Sequence, residues 1–255
     1  MSARAPRGPA VAVAVEDGVA WLTLARPARR NLLDAEMMSA LADASQAVEH
    51  DDSVRVAVLV GAGNDFCAGL PTGVAWPPAA WPDGVAALAG VTKPVIGCLS
   101  GAVRGWGVAL ALACDVRLAS TTAVLQLPEV AGGSLPGGGV TQRLPRLIGT
   151  SRALGMLLLG EPLGVRQAAA WGVVSQVVPP RRLRSTAAAL ARDLVDRGPL
   201  ALRLAKEAVS RALDLTLDDG VRLEHDLYVL LQTTSDRREG VQSFLERRPP
   251  RYQGR

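Results

Sequence analysis

Aromatic side chains make up only 4% of this 255-residue chain, so any core must be aliphatic, built from Ala, Val and Leu. Histidine occurs twice. His50 and His225 both sit beside acidic residues in helical stretches and are expected at solvent, which leaves neither a triad base nor a zinc set. The three cysteines, Cys67, Cys98 and Cys114, lack C-x-x-C spacing and lie among apolar residues. They read as small buried hydrophobes in a reducing compartment. No stretch of about 18 apolar residues is present for a membrane span. The first ten residues, basic and Pro-rich, have no apolar centre for a secretory signal. A cytoplasmic protein is therefore expected, with no membrane partner. Lysine is limited to Lys93 and Lys206, so positive charge rests on arginines scattered along the chain. With a net charge of +4 and no basic block interleaved with aromatics, nucleic acid is not an expected partner either.

What is present is a sizeable apolar fraction, 49%, against 20% charged residues. That suits one domain with an appended part, or two small domains. Residues 1–10 read as a disordered arm. Val11 to Val15 and Val19 to Leu24 read as strands joined at Asp17-Gly18, a hairpin signal. Ala35 to His50 has helical spacing, and Val54 to Val60 is a buried strand running into Gly61-Ala62-Gly63. Residues 71–84 form a loop rich in proline and tryptophan. Helix and strand then alternate (85–90, 95–99, 107–114, 116–118), which implies a parallel sheet of β-α-β crossovers. From Arg181 onward only helical patterns remain: 183–197, 199–213, 218–235 and 238–247. The reading is an α/β core over 11–180 and a helical region over 181–255.

The segment from Lys93 to Arg146 carries the chemistry, with glycine-dense turns at 101–107, 132–133 and 137–139. A dinucleotide fingerprint fails, because the third glycine is replaced by Phe66 after Gly61-Ala62-Gly63 and by Leu110 after Gly105-Trp106-Gly107. Ser100 lacks the spacing of a nucleophile elbow. Backbone amides remain. A helix opening at Gly105–Gly107 presents free N–H groups, and the turn Phe66-Cys67-Ala68-Gly69-Leu70 could aim another at the same point. Two converging donors make an oxyanion hole. Two ordinary glycine turns would leave the same pattern.

Eight runs, in order, carry a resemblance. They are Arg26-Pro27-x-x-x-Asn31, Phe66-Cys67-Ala68-Gly69, Lys93-Pro94-Val95-Ile96, Gly105-x-Gly107, Leu112-Ala113-Cys114-Asp115, Pro128-Glu129, Pro136-Gly137-Gly138-Gly139-x-Thr141-Gln142-Arg143-Leu144 and Phe244-Leu245-Glu246-Arg247-Arg248-x-Pro250. Together they resemble the crotonase (enoyl-CoA hydratase/isomerase) family from about residue 11 to 252. The resemblance implies a crotonase-like spiral of β-β-α units with a helical C-terminal trimerisation region, assembled as a homotrimer or hexamer. It implies a coenzyme A thioester as substrate, with no separate cofactor and no metal.

Carried over by position, the oxyanion amides fall at Leu70 and Trp106, where the family usually has a small residue and a glycine. Ala68, Gly69 and Gly107 would contact substrate. Arg29 or Arg30, and Arg247, Arg248 or Arg251, would approach the CoA phosphates. Of the two glutamates of the family's hydratases, one matches Glu129 and the other falls at Ala109. A single carboxylate suits moving a proton between two carbons of an enolate, or protonating the enolate left by decarboxylation. It suits hydration, which needs two proton-handling groups, less well. An atypical hydratase or a catalytically impaired acyl-CoA binder remain alternatives, the latter also suggested by Pro71, where aspartate is common. The loop bearing Trp76 and Trp81 is expected either to line the acyl pocket or to pack over the core.

Overall fold

The computed structural model describes residues 8–74 and 76–255. Of the arm expected over 1–10, residues 1–7 lie outside the described residues, while its end is tied to the fold. Ala10 is buried, its carbonyl accepts from Ala25 N–H at 2.7 Å, and Arg26 donates to the Pro9 carbonyl at 2.9 Å.

Strands β1 (Val11–Glu16) and β2 (Val19–Leu24) form the expected hairpin. Helix α1 (Ala35–His50) follows, capped by the Asp34 carboxylate, which accepts from Met37 N–H at 3.0 Å. Next come β3 (Val56–Gly61), α2 (Gly84–Ala89), β4 (Val95–Leu99), β5 (Ala102–Arg104), α3 (Trp106–Leu112), β6 (Val116–Ser120) and β7 (Val124–Gln126). They are followed by α4 (Val140–Ile148), α5 (Thr150–Leu159), β8 (Leu163–Gly164), α6 (Val165–Ala170), β9 (Gln176–Val178) and α7 (Leu183–Val195). Helices α8 (Pro199–Arg211), α9 (Leu217–Gln232) and α10 (Ser235–Glu246) complete the chain.

The main sheet has six strands in the order β1-β2-β3-β4-β6-β9, parallel except for the β1–β2 pair. Its central strands are apolar on both faces, as a sheet covered on both sides requires. Along β3, Ala57 and Leu59 face the large core beneath α1 and α3, while Val56 and Val58 face α7. The same two-residue alternation splits Leu22 from Trp21 and Leu99 from Cys98. A second sheet, β5-β7-β8, was not expected from the sequence. Its strands are only two or three residues long and carry no legible period.

The compositional shift near residue 180 falls before α7, yet α7 belongs to the core packing: Leu183, Ala187 and Ala191 are buried against the sheet. By contrast α8 and α9 bury no residue, and Leu217 and Phe244 are 83% and 82% exposed. Both lysines act as fasteners. Lys93 Nζ donates to the Val48 carbonyl in the last turn of α1 at 2.7 Å and to that of the C-cap Asp51 at 2.6 Å, and Lys206 on α8 pairs with Asp115 at 2.6 Å. Among the described residues no helix is long and apolar enough to cross a membrane.

Candidate active site

Two chain segments run side by side into the site. Cys67 bridges Val103 in parallel, with Cys67 N–H donating to the Ala102 carbonyl at 3.1 Å and Arg104 N–H to the Cys67 carbonyl at 3.0 Å. Counting equally onward sets Gly69 beside Gly105 and Leu70 beside Trp106. Both glycines have positive φ, +93° and +54°, where an L side chain is strained. Both also lack room for one: a Cβ at Gly69 would come 2.7 Å from the Arg104 carbonyl oxygen. Beyond these turns the backbones part. Among the described residues no acceptor serves the N–H of Leu70 or of Trp106, the first residue of α3. The Gly69 Cβ position lies 3.7 Å from the Trp106 nitrogen, so the two amides share one small region.

That region opens into a cleft of about 700 Å³, lined among others by Arg29, Arg30, Ala68, Gly69, Leu70, Arg104, Trp106 and Glu129. Glu129 stands on the loop after β7, whose Gln126 carbonyl accepts from Gly105 N–H at 2.8 Å. This bond joins the loop to the α3 turn. The Glu129 carbonyl accepts from Gly132 and Ser134 N–H groups at 3.0 and 2.8 Å, fixing the loop in turn. Its carboxylate packs on Gly105, and its Oε2 is buried without a partner among the described residues. Burial raises the Glu129 pKa above the usual carboxylate range, while its own backbone N–H and the Arg104 charge pull the other way. Arg104 is exposed in the cleft and was not singled out by sequence reasoning, because one arginine among so many carries no local signal.

Other expected site residues fall as follows. Arg29 and Arg30 line the cleft but are engaged, with Asp34 and Asp65 respectively, each at 2.7 Å. Gly107, expected to meet substrate, does not line it. Its lack of a side chain is explained by packing, since a Cβ there would come 2.3 Å from the Cys67 carbonyl oxygen. Arg247 caps the end of α10, exposed, and likewise does not line the cleft of this chain. The place expected for a second carboxylate is closed: Ala109 is fully buried, and a Cβ on Gly138 would lie 2.6 Å from its methyl carbon.

Trp106 turns its indole away from the shared amides. The ring lies against Gly137 and Gly138 and meets Trp76 edge-on, centroids 5.5 Å apart and planes at 86°. The cysteines are buried, and burial pushes each thiol up to about 12, so none is a nucleophile at neutral pH. Among the described residues no cluster of His, Cys, Asp or Glu could hold a metal ion.

The chain is similar to known proteins over nearly its whole length. The profile of the family described as "Enoyl-CoA hydratase/isomerase" matches residues 14–255. The chain is 39% identical to a 1,2-epoxyphenylacetyl-CoA isomerase of Escherichia coli (strain K12), covering 94% of this chain and 97% of that one. It is 38% identical to an (E)-benzylidenesuccinyl-CoA hydratase of Thauera aromatica, covering 96% and 99%. The crystal structure of an enoyl-CoA hydratase from Mycobacterium tuberculosis H37Rv superposes with a TM-score of 0.91 at 30% identity, covering 97% and 100%. With its two-sheet α/β core, its helical C-terminus and these matches over nearly its whole length, the chain belongs to the enoyl-CoA hydratase/isomerase family of the crotonase superfamily and is an enzyme of that family.

Proposed function

We propose that this enzyme shifts a double bond in an acyl-CoA thioester, with Leu70 and Trp106 N–H groups holding the thioester oxygen and Glu129 as the single acid/base. Glu129 takes a proton from C2 of a 3-enoyl thioester. The electron pair of that C–H bond spreads onto the thioester oxygen, where the two amides stabilise the negative charge. The protonated Glu129 returns the proton at C4, leaving the double bond between C2 and C3. The raised pKa of Glu129 fits both halves of this cycle, since a better base also holds its proton until C4 is presented.

One observation carries the choice of isomerisation over hydration: the Ala109 methyl abuts Gly138, so no second carboxylate reaches the cleft from there. The relatives named above are an isomerase and a hydratase, both of CoA esters, so kinship leaves the reaction open and supports the thioester. Arg29, at the cleft wall, keeps guanidinium N–H groups beyond its Asp34 contact for a CoA phosphate. The apolar residues left exposed on α8–α10 support a homotrimer or hexamer.

The test is a side-by-side assay of 3-hexenoyl-CoA and 2-hexenoyl-CoA. Conversion of the 3-enoyl ester is expected to outrun hydration of the 2-enoyl ester, and Glu129→Gln to slow it by about 100-fold or more with ester binding retained. Faster hydration would overturn the single-acid reading. Turnover unchanged by Glu129→Gln would remove Glu129 from the chemistry.

A further inference from the structure

Five tryptophans are present in this aromatic-poor chain, and three of them, Trp76, Trp81 and Trp106, line one cavity of about 380 Å³. The other two are accounted for elsewhere: Trp21 lies beneath the Arg184 guanidinium at 4.6 Å, and Trp171 beneath that of Arg152 at 5.7 Å. The three-tryptophan cavity and the cleft share one lining residue, Trp106. A thioester held at the Trp106 amide would place its acyl group beside that residue.

The cavity walls are mostly apolar. Of its two charged residues, Asp83 caps α2 through Ala86 N–H at 2.9 Å, and Arg143 donates one guanidinium N–H to the Gly138 carbonyl at 2.9 Å. Met38 adds a polarizable thioether, which favours aromatic neighbours. Trp106 belongs to the core and Trp81 packs against it, yet two further facts distinguish Trp106 and Trp76. Trp106 is 4% exposed, yet its Nε1–H has no acceptor among the described residues, although buried indoles generally find one. Trp76 is 56% exposed on a proline-stiffened loop, its edge-on contact with Trp106 leaving much of the ring open. The T-shaped pair offers a third ring one face and one edge, the geometry in which aromatic rings attract. Volume does not oppose it, since an apolar cavity of about 150 Å³ already admits benzene.

From these walls we infer that the enzyme takes aryl-bearing acyl-CoA esters, with the ring of the acyl group seated in this cavity against the walls that Trp76 and Trp106 form. This rests on the CoA-thioester reading above and narrows its substrate class.

Calorimetric binding of phenylacetyl-CoA and hexanoyl-CoA to the intact protein tests it. Phenylacetyl-CoA is expected to bind about tenfold tighter or more, one ring gaining contacts with two others. Trp76→Leu should bring the two affinities to within about threefold, while Trp76→Phe keeps the preference. Equal affinities in the parent protein, or a preference that survives Trp76→Leu, would overturn the inference. Failure of both esters to bind would instead overturn the thioester reading beneath it.

Discussion

The carboxylate of Glu129 fills the space where a Cβ on Gly105 would stand: such an atom would lie 2.4 Å from its Oε1. The turn that sets up the Trp106 amide and the seat of the carboxylate are thus one feature. Gly105 also has φ 54° and ψ −118°, a conformation that glycine alone adopts without strain. Gly105→Ala should therefore cost about 1–3 kcal/mol of stability through the backbone and, separately, push Glu129 aside. Gly172→Ala is the control. Gly172 shares a positive φ, +84°, but has nothing within 4 Å to displace. Both variants are expected to melt earlier than the parent. Only Gly105→Ala should lose turnover, by roughly 100-fold or more as the proposed acid/base leaves its position. Equal activity in the two would mean that Glu129 is not held by this contact.

How much of this was legible beforehand depended on the length of each signal. Helix α1 runs from Ala35 to His50, as its apolar spacing predicts, because sixteen residues repeat the period several times. The short strands β5 and β7, which place Gly105 beside Glu129, span three residues each and hold no full alternation. From local pattern the site was readable only as glycine turns, at Phe66 to Leu70 and at Gly105 to Gly107, and the family resemblance supplied Leu70, Trp106 and Glu129. The pairing of the turns came from a long-range bridge, Cys67 to Val103, that no local pattern announces. Gly107 illustrates the converse. Its place in a glycine motif suggested contact with substrate, whereas the cause is the Cys67 carbonyl pressed against it. The direction of the Trp106 indole, away from its own amide, depends on Gly137 and Gly138 thirty residues on.

Restoring a carboxylate at position 109 should not restore hydration. Ala109 is fully buried and its methyl already meets Gly138, so a glutamate has four more heavy atoms to place where the loop stands. Overpacking of that size costs about 1–3 kcal/mol, and a desolvated carboxyl adds to it. Ala109→Glu is expected to lower the denaturant midpoint and to leave hydration of a 2-enoyl-CoA no faster than in the parent. A gain in hydration at normal stability would show that the Gly138 loop yields easily and that a single substitution separates the two reactions.

Arg104 offers the sharpest test of the electrostatics, because it changes the field at Glu129 without touching the backbone amides. Burial raises the Glu129 pKa and the Arg104 charge opposes that rise, so removing the charge must raise it further. In the proposed mechanism Glu129 must be a carboxylate to accept the first proton, so activity should appear as pH climbs through its pKa. Arg104→Gln should therefore move the acid limb of the kcat/KM profile to higher pH, with the plateau reached later. The displacement should shrink as salt is added to the parent, because Arg104 is exposed and its field is screened. An acid limb that stays in place would mean that another group sets it. A limb that moves to lower pH would reverse the sign of the coupling and take Glu129 out of the role of base.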